Sequence, residues 1–239
     1  MARKIKIDNA ILKRFEQKSK KQKDIKKISC RILIVCEGEK TEPNYFKKFK
    51  LTSNNSFTYE VQCKGCGEGT MKVVNTAIEL AEKAKHLSQP FDSVWAVFDK
   101  DNFADFNEAI EKAESNNINA AWSNEAFELW YLYHFLNRTT GMSRDEYKKA
   151  ISDAVNATGK WEKKTPYEYK KEDEDNYNIM MTYGNISNAI KWARRQHHQF
   201  TDKNYSSHNP CTTVYKLVLQ LQNEDKELIN SVMNKINSN

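Results

Sequence analysis

The chain contains no apolar run approaching the ~20 residues of a membrane-spanning helix, so no span is expected. Its first residues are basic and lack an apolar core segment, which excludes a secretory signal and points to the cytoplasm. Cysteine is sparse and odd in number, five in all, without the spacing of a disulfide framework. That usage fits a reducing compartment. Cys63-Lys64-Gly65-Cys66 has no second close pair to complete a zinc site. A phosphate loop ending in Gly-Lys-Ser/Thr is missing, so no ATP site is expected in this chain. His134, His197, His198 and His208 have no metal-binding spacing with one another and read as structural. There is no internal repeat.

What is present is a soluble, globular composition. The 239 residues are 39% hydrophobic and 29% charged, enough for one substantial core. The formal charge of +6 is unevenly spread: residues 1–29 hold eleven Lys/Arg against three acids. That basic arm is either a solvated tail or a phosphate-contacting one. Residues 30–138 read as an α/β domain. Residues 139–239 read as a mostly helical region, with a charged, Tyr-rich loop or mobile insertion at 159–177. Tyr167, Tyr169 and Tyr177 in that insertion are candidates to stack on exposed bases.

From 31 to 136 strands and helices alternate, the order of a mainly parallel sheet flanked by helices. Strands are expected at 31–36, 57–63, 92–98 and 119–122. Helices are expected at 44–50, 71–87, 103–115 and 126–136. Further on they fall at 143–157, 183–200, 212–222 and 225–236. Gly65, Gly67 and Gly69 mark a loop where backbones approach closely.

Two apolar runs end in acid. Arg31–Cys36 leads into Glu37-Gly38-Glu39-Lys40-Thr41-Glu42, and Val94–Phe98 leads into Asp99-Lys100-Asp101. Carboxylates just past strand ends sit where open α/β sheets keep their sites. Gathered there they repel one another unless a hard cation joins them. Alternation puts Asp99 and Asp101 on one side, where both can reach a single ion. The competing reading of each motif alone is an acidic turn.

These residues resemble a known family. Glu-Gly after a first strand and Asp-x-Asp after a later one are signatures of the Toprim fold of topoisomerases, primases and the overcoming-lysogenization-defect nucleases. The strings Val35–Phe46, Phe98–Asp101, Ser123–Trp130 and Asn209–Leu217 are similar to the RloB family. The resemblance spans about 30–222. It implies a Toprim-like α/β fold with a helical C-terminal subdomain, and a metal-dependent nuclease cleaving RNA, tRNA or DNA. It also implies one or two Mg²⁺ or Mn²⁺ ions and an AAA/ABC-type ATPase encoded nearby, in an antiphage defence system. A homodimer is one option for its assembly.

Carried over to this chain, the metal ligands would be Glu37, Glu42, Asp99, Asp101, Ser123 and Glu125. The catalytic set would be Glu37, Asp99, Asp101 and Lys216. Glu42 sits one residue further from Glu37 than the related pattern has it, so Glu39 is its alternate. Lys40, Lys100 and Lys216 are candidates to offset transition-state charge, with Lys216 favoured. Glu128 either faces the same site or pairs on its own helix. Two ions would activate water and stabilise the leaving oxygen. The rivals are a non-catalytic Toprim-shaped module that docks an ATPase or nucleic acid, and a primase-like nucleotidyl transferase. The nuclease reading requires the acids to reach a shared ion rather than to be tied to arginine or lysine neighbours.

Overall fold

The structure is a computed structural model that describes residues 29–49, 58–65, 69–101, 104–222, 230–231 and 234. The basic arm up to residue 28, together with Cys66 and Gly67, lies outside the described residues. So does most of the helix expected over 225–236; its described residues Asn230, Ser231 and Asn234 are helical.

Five strands form one sheet: β1 (Ser29–Cys36), β2 (Thr58–Gly65), β3 (Ser93–Asp99), β4 (Asn119–Asn124) and β5 (Cys211–Thr212). Their order is β2-β1-β3-β4-β5. The first four run parallel and the short β5 is antiparallel to β4. The expected α/β fold with a mainly parallel sheet is therefore present. Parallel strands need long crossovers, and helices supply them here. They are α1 (Thr41–Lys47), α2 (Thr70–His86) and α3 (Phe106–Ser115); α4 (Glu128–Tyr133) follows β4. Four more follow: α5 (Glu146–Ala157), α6 (Asn176–Tyr183), α7 (Ile186–His197) and α8 (Val214–Leu221). Among the described residues no helix is long and apolar enough to cross a membrane.

Both sheet faces are covered, which is why the strands read as unbroken apolar runs. Ile32, Ile34, Cys36, Trp95 and Val97 pack into one core with Tyr45 and Phe46 of α1 and with α4, α5, α7 and α8. Leu33, Val35, Ala96 and Phe98 point the other way, onto α2 and α3. Helix α4 lies in the first core, with all six residues buried. Burying a side chain of Leu size contributes about 1.5–3 kcal/mol, so this helix is held by packing rather than by propensity.

Three expectations are revised, the first by pairing distant in sequence and the second by a local cap. Ser123 and Asn124 extend β4 instead of starting a helix, because Thr212 and Cys211 pair with them. The expected helix over 183–200 begins at Ile186. Gly184 is extended, and the Asn185 side chain caps the new helix by accepting from the Asn188 N–H at 3.0 Å. Residues 159–175 form a loop without helix or strand, a strap pinned by side-chain hydrogen bonds. Asn156 holds Tyr167 through both its backbone groups, and the Ser152 hydroxyl accepts from the Tyr169 N–H at 2.9 Å. Asn176 donates to the Lys170 carbonyl at 2.9 Å. Tyr167 and Tyr169 are 7% and 2% exposed, so neither ring offers a face to a base.

Candidate active site

Strand order places the site. The crossover from β1 goes one way to β2, and the next returns to β3 on the other side of β1. The carboxyl ends of β1 and β3 thus flank a topological switch point, where open sheets leave a crevice. Glu37 follows β1 and Asp99 ends β3. The Glu37 N–H donates to the Val97 carbonyl at 2.8 Å, and the Asp99 N–H donates to Glu37 Oε2 at 3.0 Å.

Glu42 joins them from the first turn of α1. It is 3% exposed, while Glu39 in the preceding turn is exposed, so Glu42 rather than its alternate faces inward. Gly38 makes room for it: a Cβ at this position would collide with the Glu42 carboxylate. Gly65 at the end of β2 packs on the same turn. A Cβ there would stand 2.5 Å from Glu39 Cα and 2.7 Å from the Gly38 oxygen, so the expected close backbone approach is real. Glu128 reaches in from α4, also buried, which favours the site-facing alternative for that residue.

Clustered burial of acids raises their affinity for protons. Glu37 is pushed up to about 7, chiefly by burial and further by Asp101 and Glu42, with the Asp99 N–H and Arg144 opposing. Burial lifts Asp99 well above the carboxylate range, and the charges of Glu42 and Glu128 add to it. Glu42 is raised for the same first reason. One oxygen of Glu42 and one of Glu128 are buried with no hydrogen-bond partner.

Two cations answer this charge. Arg144, in the loop before α5, contacts Asp101 at 2.6 Å and Asp99 at 3.6 Å. Lys171 of the strap lies 3.7 Å from Glu128, which also accepts from the Tyr169 hydroxyl at 3.1 Å. Neither cation carries a motif in the sequence: Arg144 falls at the start of the helix expected over 143–157, and Lys171 in the charged stretch at 159–177. The strap is fastened over α1 by the Lys40–Glu172 ion pair at 2.8 Å and by the Thr41 hydroxyl donating to the Lys171 carbonyl at 3.0 Å.

The remaining expected residues divide. Ser123 sits beside Asp99 in register, but its hydroxyl is shared with Thr212 at 2.9 Å. Glu125 accepts from the Arg144 N–H at 3.0 Å, and its carbonyl accepts from the guanidinium, so it positions Arg144. Lys40 is spent on Glu172, and Lys100 Nζ donates to the Asp101 carbonyl. Lys216 is not with the acids. Helix α8 starts beside the outer edge of β4, and Lys216 there lines a separate cavity with Trp95, Asn119 and Trp122. The His134 Nδ1–H donates to the Trp130 carbonyl at 2.9 Å, and burial lowers the imidazole to about 4, a core role.

The donor chemistry suits a hard divalent ion: carboxylate oxygens, two of them unpartnered. Their arrangement is not closed around one. Among the described residues no group of three His, Cys, Asp or Glu side chains stands in metal-holding geometry. The cation on the Asp pair is Arg144. Among the described residues the acids converge at the switch point but not within the coordinating range of one ion that the nuclease reading requires, and two of them are tied to Arg144.

No curated protein and no solved structure matches the chain. A family model described as RloB-like protein matches residues 32–221, from the second residue of β1's apolar run to the end of α8. The chain belongs to the RloB-like family.

Proposed function

We propose that this protein is a metal-dependent nuclease of Toprim type, hydrolysing phosphodiesters of RNA or DNA. The observation that carries the reading is the convergence of Glu37, Glu42, Asp99, Asp101 and Glu128 at the switch point, with buried oxygens left unpartnered on two of them. A scaffold gains nothing from such a cluster, because each unsatisfied buried carboxylate oxygen costs stability. Glu42, Asp99 and Glu128 would hold Mg²⁺ or Mn²⁺, with Glu37 and Asp101 beside them. The ion would supply an activated water and charge for the leaving oxygen. Its entry requires Arg144 to yield the Asp pair. Glu37, titrating near neutrality, is suited to move a proton at its carboxylate. Arg144 and Lys171 are placed to bear charge that develops on phosphate oxygens. They take the part first given to Lys216.

The wider setting, an antiphage effector governed by an ATPase encoded nearby, is part of the same proposal and rests on the family alone. The test is cleavage of labelled RNA and DNA with Mg²⁺ or Mn²⁺ by the wild type and by Asp99→Ala/Asp101→Ala. We expect a loss on the order of 10³-fold in the variant. Undiminished cleavage by the purified variant would refute the assignment. The rival docking module predicts no calorimetric Mn²⁺ binding by the wild type.

A further inference from the structure

A cavity of about 450 Å³ adjoins the acids, within the size range of ligand pockets. Its wall is cationic. Arg144, Lys148, Lys170 and Lys171 line it, against Asp145 and Glu128. Arg144 and Glu128 belong both to this cavity and to the acid cluster, so the two are continuous. Arg144 and Lys171 answer acids of the cluster, and Lys148 pairs with Glu168 at 2.9 Å. Lys170 is exposed and forms no ion pair among the described residues. The two rings in the wall, Tyr147 and Tyr169, are 0% and 2% exposed, and the Tyr147 hydroxyl is buried without a partner.

We propose that this cavity is a phosphate subsite. It holds a backbone phosphate of the nucleic acid strand beside the acid cluster, and it takes its substrate class from the nuclease reading. Positive charge exceeds negative in the wall, which favours an anion over any neutral ligand. A guanidinium flanked by lysines matches the oxygens of a phosphodiester. Both aromatic rings are closed off, so no base can stack on them. Recognition here is therefore of phosphate, and base identity at this position goes unread.

The test measures binding of end-labelled, mixed-sequence single strands by anisotropy in EDTA, across a salt series. The proteins compared are wild type, Lys170→Ala and Lys170→Ala/Lys171→Gln. Each lysine removed should weaken binding about fivefold and flatten the salt slope by about one, equally for RNA and DNA homopolymers of different base. Lys170→Ala is an exposed change that leaves the fold intact, so its result stands if the double variant is unstable. Competition by inorganic phosphate at concentrations well below the added salt identifies the phosphate group itself as the ligand. Unchanged slopes, or losses confined to one base, overturn the subsite. Cleavage is read on the same proteins in buffer with Mn²⁺ and no EDTA. If the wild type cleaves and the slopes do not move, the subsite fails and the nuclease stands. If the slopes move and nothing is cut, the subsite stands and the nuclease fails.

Discussion

The two ends of the sheet obey different rules. Beside the amino half of β4 lies a cavity of about 470 Å³, lined by Trp95, Trp122, Tyr205 and Lys216. Three hydrogen bonds tie residues of its wall to their neighbours. The Trp95 indole N–H donates to Gln220 at 2.7 Å, the Trp122 backbone N–H donates to the Thr213 hydroxyl at 2.9 Å, and His197 meets the Tyr215 hydroxyl at 3.0 Å. At the carboxyl ends of β1 and β3 the acids crowd, and Glu42 and Glu128 keep orphaned oxygens. One end is built for stability. The other spends it on buried carboxylate oxygens without partners.

Four substitutions can break or sharpen that contrast. Gly65→Ala should do the most damage, because its new Cβ meets backbone rather than a movable side chain. We expect a loss of about 2 kcal/mol in denaturant unfolding, with the turn under Glu37 displaced. A neutral result would mean that the turn tolerates being moved.

Arg144→Met comes next. It leaves Asp99 and Asp101 without their cation, and partial exposure of the pair limits the loss to about 1–2 kcal/mol without metal. The rise in Tm caused by Mn²⁺ should be larger in the variant than in the wild type. An equal rise would show that arginine and ion do not compete for the Asp pair.

The effect of Glu37→Gln depends on pH. The folded carboxyl is held at about 7 against an ordinary 4.5, so between these values the folded chain binds more protons than the unfolded one. Stability from this group therefore falls as pH rises through the window and is level above it. The glutamine removes that penalty. After allowance for solvent screening the gain is about 1 kcal/mol above pH 7, or a few degrees in Tm, fading to nothing below pH 4.5. A gain that grows toward acid would contradict the assigned cause.

Lys216→Met should change least, within about 0.5 kcal/mol, with cleavage unaltered. A large loss of activity would join the two ends into one site.

How much of this was legible depends on the range of the forces involved. Glu37, Asp99 and Asp101 were readable because a strand's apolar run has a visible end, and the chemistry sits at that end. Glu42 was readable with an alternate; the inward turn of α1 settles it. Arg144 and Lys171 were hidden. Their places are set by Glu125, Asn156, Ser152 and Asn176, contacts that carry no periodic signature. Lys216 was misplaced because its motif resembles the family's while its helix starts beside the far half of β4. The tyrosines of the strap looked like stacking platforms because composition says nothing about which rings are buried.

The strap has a further consequence. It leaves α5 and returns in α6, and it is fastened to the rest of the molecule by side chains at its two feet and by Lys40 and Thr41 at its crest. No strand runs through it. Its Lys171 and Tyr169 contact Glu128, so its length and charge bear directly on the carboxylates beneath it. A segment without helix or strand thus sets the electrostatic surroundings of a carboxylate on α4.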